Sequence, residues 1–482
     1  MCSIVGLQGN LEGNDIIKML KVSKSRGPDE SGVWLDEIHV NIDLDEFDDS
    51  NNYSIAFGHN LLSIYDSDDR VSKTQPVSND NLVLTFNGEL YNFHTIRNLL
   101  KKVGVTAEVT SDSEALLYLI DSYNKGDLLK AIQMATRLID GDYAFAVYDG
   151  ENLALVRDPL GVKPLFYSSN DGNFGFASSK ISLKEVGFDD INTLKPEHIL
   201  FNGEDISPAQ HLYEKVKEGD VAKIEKMLKL SVVKRIEGLR EVGVIFSGGV
   251  DSSYLALLLK EISENVPLKI KLYAVGVEQS KDVEAAIYAS KFLNLDLEIC
   301  EVTEELIRDA LPHVVKAIGD DNLMKVGVGL TTYFATELVA KDGIKVAISG
   351  QGADELFGGY KRYLKSFVDG SLNWTLREDM SNMYHVNLER DDACSMLNSV
   401  ELRLPFLDKT LVELVLNIPD NKKIVSMHDD MRKSILRKLA FEEGLDYEIA
   451  YRPKKAAQYG TGIDKILRKK IIRDTDISQY LD

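Results

Sequence analysis

The chain has 482 residues, which is too long for a single hydrophobic core, so we expect at least two domains. Its 44% apolar content is ordinary for a globular protein, and its net charge of −21 argues against broad binding to nucleic acids or anionic membranes, which need positive surface. Apolar runs stay far below the roughly 20 residues that cross a bilayer, and a secretory signal is not expected. Three cysteines (Cys2, Cys300 and Cys394) without CxxC spacing predict a cytoplasmic protein with neither a disulfide framework nor a structural zinc site.

Cys2 is the first candidate functional residue along the chain, because it directly follows Met1. A small second residue permits removal of Met1, which leaves a thiol and a free α-amine on one residue. The α-amine titrates near ~7.7–8.0 and the thiol near ~8.5, so the two groups can exchange a proton at neutral pH. Cys2 is therefore a candidate nucleophile that carries its own base.

Residues 1–190 have the pattern of a domain that mixes strands and helices. Residues 81–86 form a candidate buried strand that ends in Asn87-Gly88, and two apolar runs flank Asp149-Gly150, a strong hairpin signal. The other predicted elements are strands over 143–148, 153–156 and 174–177 and helices over 114–123 and 128–138. Hairpin-linked strands combined with helices predict a layered α+β fold.

A linker is predicted over 191–211, where Pro196, Gly203 and Pro208 interrupt any regular pattern. In the second domain, 212–482, apolar strands alternate with helices, which is typical of an α/β doubly wound parallel sheet. The predicted elements are strands over 242–246, 272–277, 295–302 and 345–349, a helix from 252, a helix over 285–292, and a mostly helical part beyond 360.

The segment 247–253, with the sequence SGGVDSS, lies where a predicted strand passes into a helix. Glycines let the backbone approach an anion, and the first turn of the helix supplies free N–H groups. The serines add hydroxyl donors, and Asp251 can hold a Mg²⁺ ion that neutralises phosphates. The spacing fits neither GxxxxGK[ST] nor GxGxxG, so the pattern predicts a different phosphate-binding loop rather than a plain serine-capped turn.

This segment resembles the SGGxDS pyrophosphate loop of ATP-pyrophosphatases, which cleave ATP to AMP and pyrophosphate. The resemblance is greatest to glutamine-hydrolysing asparagine synthetases and extends across nearly the whole chain. The matching segments are 1–6, 26–29, 87–92, 111–112, 157–161, 247–253, 349–355, 356–360 and 400–408. Each segment is moderately specific, whereas their shared order in one chain is very specific.

The resemblance implies that the first domain is an N-terminal-nucleophile glutaminase, an αββα sandwich of antiparallel sheets covered by helices. Cys2 would attack the side-chain amide of glutamine, which gives a thioester and releases ammonia. Asn87 and Gly88 match the family's oxyanion hole, although Asn-Gly is also a common turn pair. Glu89 and Asp112 match the carboxylates that hold the α-amine of glutamine.

The glutamine site has one departure from the family. Arg26 matches the arginine of the family's RGPD loop at this site. The family commonly has His-x-Arg-Leu-Ser-Ile, whose arginine clamps the α-carboxylate of glutamine, but this chain has Leu61 at that position. Leucine offers no donor to a carboxylate, so we expect either another cation, Arg70 or Lys73, to substitute or glutamine use to be weak.

For the second domain the resemblance implies binding of ATP, Mg²⁺ and aspartate. The β-carboxylate of aspartate would attack the α-phosphorus, and ammonia carried from Cys2 through an interdomain tunnel would displace AMP from the β-aspartyl-adenylate. Asp251 and Asp354 match the carboxylates on the Mg²⁺ side. The implied ATP- and pyrophosphate-binding residues are Ile245, Ser247, Gly248, Gly249, Asp251, Ser252, Val275, Ser349 and Gly350, with Ile245 and Val275 lining the adenine pocket.

Two further positions bear on the amide-forming step. Lys454, or its neighbour Lys455, matches the family's lysine over the departing phosphate, and alignment with the preceding arginine favours Lys454. Most relatives carry glutamate where Gln351 stands, and that carboxylate is thought to assist the attack by ammonia. A glutamine cannot accept a proton, but it can orient an amine by hydrogen bonding.

Three functions stay open from the sequence. The leading one is ATP-dependent asparagine synthesis with glutamine as the nitrogen donor, by a protein whose partners are small molecules. The sequence itself does not show an oligomeric state, and the resemblance implies a homodimer, since relatives are often dimers. The second keeps the chemistry but amidates or cyclises a different carboxylate, or uses mainly free ammonium. The third is a binding or regulatory protein with a retired glutaminase half, which Leu61 and Gln351 favour but the retained nucleophile, carboxylates and glycines oppose.

Overall fold

The structure is a computed structural model that describes residues 2–36, 38–67, 69–208, 220–453 and 460–481. The chain divides into two compact units, Met1–Ala209 and Gln210–Asp482. Across these described ranges, we find no helix with the length and apolar character required to span a bilayer.

The described part of the first unit is built on two antiparallel sheets and one small hairpin. The strands are β1 (Ser3–Glu12), β2 (Glu30–Leu35), β3 (Ile38–Asn41), β4 (Asn52–Leu61), β5 (Asp66–Ser67), β6 (Arg70–Val71), β7 (Val77–Ser78), β8 (Val83–Leu90), β9 (Gly141–Tyr148), β10 (Leu153–Arg157), β11 (Phe166–Asn170), β12 (Asn173–Ala177), β13 (Asn192–Thr193), β14 (Ile199–Phe201) and β15 (Glu204–Ile206). A seven-stranded sheet has the order β13-β11-β12-β1-β4-β2-β3, and a six-stranded sheet has the order β15-β14-β10-β9-β8-β7. Strands β5 and β6 pair only with each other.

Helices cover the outer face of each sheet. They are α1 (Gly13–Val22), α2 (Phe93–Lys102), α3 (Asp112–Tyr123), α4 (Leu128–Thr136) and α5 (Lys180–Lys184). One core lies between the two sheets, a second packs the seven-stranded sheet against α1 and α5, and a third packs the six-stranded sheet against α2, α3 and α4. The layers are therefore helix, sheet, sheet, helix, which confirms the expected αββα sandwich.

Two local predictions in this unit had different outcomes. The hairpin around Asp149-Gly150 is confirmed, because Leu153 pairs with Tyr148 in antiparallel register. The prediction that a strand ends at Asn87-Gly88 is wrong, because β8 runs through both residues to Leu90 and stays paired with β9. A β-carbon at Gly88 would collide with the backbone of the neighbouring strand, so close strand packing explains this glycine.

The segment between the predicted domains contains regular structure. Strands β13, β14 and β15 lie within 191–211, and they add edge strands to both sheets of the first unit. The two compact units separate between Ala209 and Gln210. The predicted boundary at 190 therefore precedes three short strands of the first unit.

The second unit is built on a parallel sheet, as predicted. Its strands are β16 (Glu241–Ile245), β17 (Lys269–Gly276), β18 (Asp296–Glu301), β19 (Val346–Ile348) and β20 (Glu401–Arg403). The described α-helices are α6 (Ile224–Ile236), α7 (Val250–Ser263), α8 (Lys281–Leu293), α9 (Glu304–Ile318), α10 (Leu323–Lys341), α11 (Ala353–Phe357), α12 (Tyr363–Val368), α13 (Leu372–Met383), α14 (Glu389–Met396), α15 (Lys409–Leu416), α16 (Ser434–Glu442), α17 (Tyr447–Ala450) and α18 (Ile463–Ile466).

The order of this sheet places its functional loops. The strand order is β18-β17-β16-β19-β20, with every neighbouring pair parallel. The chain leaves the central β16 first toward one edge and later toward the other, so the loops after β16 and β19 diverge at the carboxyl ends of adjacent strands. Such a switch point is where open parallel sheets bind ligands.

Candidate active sites

The first candidate site surrounds Cys2, which immediately precedes β1. The backbone nitrogen of Cys2 donates to Oδ1 of Asn87 over 3.0 Å, and Nε of Arg26 donates to the carbonyl oxygen of Cys2 over 3.3 Å. Asn87 is fully buried on β8, and within the described residues its Nδ2 has no hydrogen-bond partner. Buried amide groups are nearly always paired, so this N–H is a donor available to a bound oxyanion.

A charged cluster lies farther along the same strand. Glu89 follows Asn87 by two residues, so both side chains point to the same face of β8. Oε2 of Glu89 accepts from Nη2 of Arg70 over 2.9 Å, and Asp112 accepts from Nε and Nη2 of the same guanidinium over 2.9 and 2.5 Å. Burial alone lowers the pKa of Arg70, but the neighbouring carboxylates raise that pKa above its ordinary value, so Arg70 stays charged.

Local structure holds this cluster in place. Ser111 caps α3, since its hydroxyl accepts from the backbone N–H of Glu114 and the Glu114 carboxylate accepts from the backbone N–H of Ser111. This capping box fixes Asp112 in the first turn of the helix. The β5–β6 hairpin delivers Arg70, whose guanidinium carbon lies 3.9 Å from the centre of the Tyr65 ring.

Of the two cations expected to compensate for Leu61, the structure brings only Arg70 to Glu89 and Asp112. Leu61 itself is 4% exposed at the end of β4. Lys73 is 38% exposed and pairs with Glu114 over 2.7 Å. The sequence could not distinguish Arg70 from Lys73 as the substituting cation, because only the fold determines which side chain points inward.

The second candidate site begins at the segment 247–253, which spans the turn after β16 and the first residues of α7. Gly248 has a φ of +65°, and a β-carbon there would collide with the backbone of Ala285. Both features favour glycine. The hydroxyls of Ser247 and Ser252 lie 3.4 Å apart beside the N-terminus of α7, so hydroxyl and backbone donors converge there.

The glycine loop after β19 touches this turn. A β-carbon at Gly350 would lie 3.1 Å from Cβ of Asp251, and the backbone N–H of Gln351 donates to the Ser349 hydroxyl over 3.4 Å. Ile245 and Val275, predicted to line an adenine pocket, lie toward the carboxyl ends of the adjacent strands β16 and β17. The structure therefore brings the predicted nucleotide-binding residues to one edge of the sheet.

Lys433 is a residue at this site that the sequence analysis missed. Its fully buried Nζ lies 2.7 Å from Oδ2 of Asp251 and 2.6 Å from Oδ1 of Asp354. The two carboxylates predicted on the Mg²⁺ side thus both contact the ammonium of Lys433. No motif marks this lysine, and its sequence signal is only a basic pair, Arg432-Lys433, in the part beyond 360 that was predicted to be mostly helical.

These carboxylates also fit a magnesium ion held with a nucleotide. Among the described residues there is no group of three or more His, Cys, Asp or Glu side chains that would hold a metal alone. Mg²⁺ commonly binds one or two carboxylates and completes its shell with water and substrate phosphates. The pair Asp251 and Asp354 beside a phosphate-binding turn matches that donor set.

Arg452, also missed, connects the C-terminal segment to the phosphate-binding turn. Its guanidinium donates to the carbonyl oxygen of Ser247 over 3.2 Å and to Asp282 over 2.9 Å. Lys454 and Lys455 lie outside the described residues. Arg452 precedes Lys454 by only two positions, and it was visible in the sequence only as part of the Arg-Pro-Lys-Lys run.

Family models match both parts of the chain. A glutamine amidotransferase domain matches residues 1–232, and an asparagine synthase domain matches residues 223–370 and 366–476. A solved glutamine phosphoribosylpyrophosphate amidotransferase from B. subtilis is 18% identical with a TM-score of 0.37, and the alignment covers 62% of this chain and 65% of that one.

Curated relatives extend the match to the full chain. A putative glutamine-hydrolysing asparagine synthetase of Methanocaldococcus jannaschii is 37% identical, with 100% of this chain and 98% of the relative covered. A probable enzyme of the same name from Dictyostelium discoideum is 26% identical, with 99% and 88% covered. The asparagine synthetase of Rattus norvegicus is 27% identical, with 90% and 82% covered. With both domain models in order and a relative matched from end to end, the chain belongs to the family of glutamine-hydrolysing asparagine synthetases, ATP-dependent carbon–nitrogen ligases.

Proposed function

We propose that this protein makes asparagine from aspartate and ATP, with glutamine as the nitrogen donor, and releases glutamate, AMP and pyrophosphate. The observation that carries the proposal most directly is the pairing of Cys2 with Asn87. The buried side chain of Asn87 accepts a hydrogen bond from the backbone N–H of Cys2, and its own N–H can still donate to a substrate oxygen.

The glutaminase step uses the first unit. The thiolate of Cys2 adds to the side-chain amide carbon of glutamine, and Nδ2 of Asn87, with the backbone N–H of Gly88, stabilises the oxyanion that forms. The carbon–nitrogen bond breaks, and the departing nitrogen takes a proton and leaves as ammonia. Water then cleaves the thioester to give glutamate and to restore the thiol. Arg26 holds the nucleophile's backbone, while Glu89 and Asp112 form the charged end of the glutamine pocket.

The ligase step uses the second unit. A β-carboxylate oxygen of aspartate attacks the α-phosphorus of ATP, and the bond to the β-phosphate breaks so that pyrophosphate leaves. The turn at 247–253 and the loop at Ser349-Gly350 bind the phosphates through backbone and hydroxyl donors. Ammonia then attacks the acyl carbon, and AMP departs with the electron pair of the acyl–oxygen bond. Gln351 orients the ammonia, and Lys454 balances charge on the phosphate that departs.

Charge balance explains the carboxylates and the lysine of this site. Asp251 and Asp354 would hold Mg²⁺, which supplies positive charge to the phosphates of bound ATP. The ammonium of Lys433 balances the negative charge of the same pair, which keeps two partly buried carboxylates close together. We therefore assign Lys433 as a positioning residue for the metal-binding carboxylates.

The finer cellular assignments are also proposals. We propose a cytoplasmic homodimer whose partners are small molecules rather than nucleic acids. The net charge of −21 supports the last point, and all three cysteines are described and none forms a disulfide, which fits a reducing compartment. The dimer rests on the family alone.

A steady-state assay of wild type and Cys2→Ala, with aspartate, ATP and either glutamine or ammonium, tests the proposal. We expect Cys2→Ala to lose glutamine-dependent asparagine formation and to keep ammonium-dependent formation, since only the first step needs the thiol. Cys300→Ala, which removes a buried thiol elsewhere, is the matched control and should keep both activities. Equal glutamine-dependent activity in wild type and Cys2→Ala would refute the role of Cys2.

A further inference from the structure

Arg70 lies where a substrate's charged end would meet the glutaminase site. Asn87, at the proposed oxyanion hole, and Glu89, a partner of Arg70, are two residues apart on β8, a separation of about 6.4–6.8 Å along a strand. The chain from the side-chain amide carbon of glutamine to its α-carboxylate contains four carbon–carbon bonds, about 5 Å when extended. A glutamine whose amide reaches Asn87 therefore brings its α-carboxylate close to Arg70.

The guanidinium of Arg70 is held on one edge and open on the other. Nε and Nη2 donate to Asp112 and Glu89, and Nη2 also approaches the carbonyl oxygen of Leu90. Within the described part of the chain, Nη1 has no hydrogen-bond partner. A guanidinium with a fixed orientation and an unused N–H is suited to bind a carboxylate.

The carboxylate of Asp112 is already heavily used. Both of its oxygens accept from Arg70, and Oδ2 also accepts from the backbone N–H of Leu90 over 2.8 Å. An α-ammonium group bound there would have to compete with a bidentate ion pair that is largely buried. Asp112 is therefore better placed to orient Arg70 than to receive the substrate's amine.

We infer that Arg70 is the specificity residue for the α-carboxylate of glutamine, in place of the arginine that Leu61 replaces. The open Nη1 edge binds the carboxylate, and Asp112 and Glu89 orient the guanidinium. The site consequently binds the α-carboxylate of the nitrogen donor strongly and its α-amine weakly. This inference rests on the proposed use of glutamine by Cys2.

The test pairs each variant with three nitrogen donors. The donors are glutamine, glutamine α-methyl ester, which lacks the carboxylate charge, and glutaramate, which lacks the α-amine. The proteins are wild type, Arg70→Met, Arg70→Lys and the control Arg97→Met, which alters another arginine over the Phe93 ring that instead pairs with Asp69. The readout is kcat/KM for release of the amide nitrogen, and the ratio between donors does not depend on how much protein is folded.

In wild type and Arg97→Met we expect kcat/KM for the ester to be about tenfold to a hundredfold lower than for glutamine, the effect of losing one hydrogen bond to a charged group. We expect kcat/KM for glutaramate to be within about threefold of the value for glutamine. In Arg70→Met the preference for glutamine over the ester should largely disappear. Arg70→Lys keeps the charge without the planar fork, so it should retain part of the preference and provides a second test if Arg70→Met folds poorly.

A preference for glutamine over the ester that is unchanged in both Arg70 variants would overturn the inference. A kcat/KM for glutaramate as low as that for the ester would overturn the claim that the site binds the α-amine weakly. If wild type forms asparagine from ammonium but releases nitrogen from none of the three donors, the proposed use of glutamine fails, and the inference fails with it. These results are distinguishable within one experiment.

Discussion

The side chain of Asn87 has two proposed roles. Its Oδ1 accepts a hydrogen bond from the backbone N–H of Cys2, and its Nδ2 remains available to a ligand. Replacing Asn87 with alanine removes both groups without adding bulk. We expect Asn87→Ala to lower kcat for glutamine hydrolysis by about 10²–10³-fold, the usual effect of removing one oxyanion donor. Ammonium-dependent asparagine formation should stay unchanged.

Thr85→Val is the matched control for Asn87→Ala. Thr85 is equally buried, lies two residues earlier on the same face of β8, and has no hydrogen-bond partner for its hydroxyl within the described residues. Thr85→Val should therefore keep glutamine hydrolysis near the wild-type rate. Equal losses in the two variants would show that strand packing, and not the amide of Asn87, causes the effect.

Lys423 makes stability depend on pH in the second unit. Its side chain is 0% exposed and its Nζ has no hydrogen-bond partner among the described residues. Burial lowers the pKa of Lys423 from 10.5 to about 7, despite the opposing charge of Asp420. Because the folded-state pKa lies below the unfolded value, the unfolded chain binds more protons between about pH 7 and 10.5.

The free energy of unfolding should consequently include a contribution from Lys423 that rises by about 1.4 kcal/mol per pH unit across this window. Lys423→Met should remove that contribution, whereas Lys422→Met, an exposed neighbour, should retain it. Denaturant titrations at pH 7.5, 8.5 and 9.5 measure the difference. An identical pH dependence in wild type and Lys423→Met would contradict the lowered pKa.

At the scale of elements, the turn between β16 and α7 depends on Gly248. An alanine there meets two obstacles, a positive φ of +65° and a collision with the backbone of Ala285. Gly343 has a φ of +79° but has open space around it, so Gly343→Ala is a control for the backbone conformation alone. That conformation costs an alanine about 1–2 kcal/mol.

We expect Gly248→Ala to abolish asparagine formation with either nitrogen donor, since it displaces the phosphate-binding turn, and to leave glutamine hydrolysis intact. Gly343→Ala should lose about 1–2 kcal/mol of unfolding free energy but remain active. Separate assays of pyrophosphate release and glutamate release measure the two steps. Normal pyrophosphate release by Gly248→Ala would exclude this turn from ATP binding.

Apolar periodicity predicted the strands and helices that consist of continuous buried apolar residues. It missed elements that are stabilised by residues far away in the sequence. The parallel strands β16, β17 and β19 were recognised because they contain continuous buried apolar runs, and the edge strand β18, which is mostly half-buried, was recognised from its place in the strand–helix alternation. The three-residue β20 was not, because its Glu401 and Arg403 look like surface residues, although they form a buried ion pair at 2.8 Å. Asn87-Gly88 resembled a turn because the sequence does not show that β9 pairs across it.

The whole molecule has two compact units, each with its own proposed chemistry. A ligand of one unit should therefore change the thermal stability of that unit and not of the other. A ligand that binds only one folded unit stabilises that unit by about 2.7 kcal/mol at a hundred times its dissociation constant. We expect ATP with Mg²⁺ to raise one of two thermal transitions and to leave the other unchanged. Calorimetry of wild type and Gly248→Ala checks this, since the variant should show no shift. A shift of both transitions together would contradict separate stabilisation.

Motif order along the chain identified the family and most of the candidate site residues, but it contains no distances. Lys433 lies about 180 residues from Asp251 in sequence and touches it only because α7 and α16 belong to one unit. Arg70 and Lys73 are both cations, but Arg70, in β6, pairs with Glu89 and Asp112, whereas Lys73, beyond β6, pairs with Glu114. Such tertiary placements cannot be read from composition or spacing.

The position of β1 in the interior of its sheet has a consequence for synthesis on the ribosome. Cys2 adjoins a strand that pairs with β4 on one side and with β12, which ends at Ala177, on the other. A nascent chain must therefore emerge almost to the end of its first unit before the thiol is held beside Asn87. Until then the growing polypeptide carries an unplaced cysteine, so hydrolysis of cellular glutamine begins only after this half of the enzyme has been translated and folded.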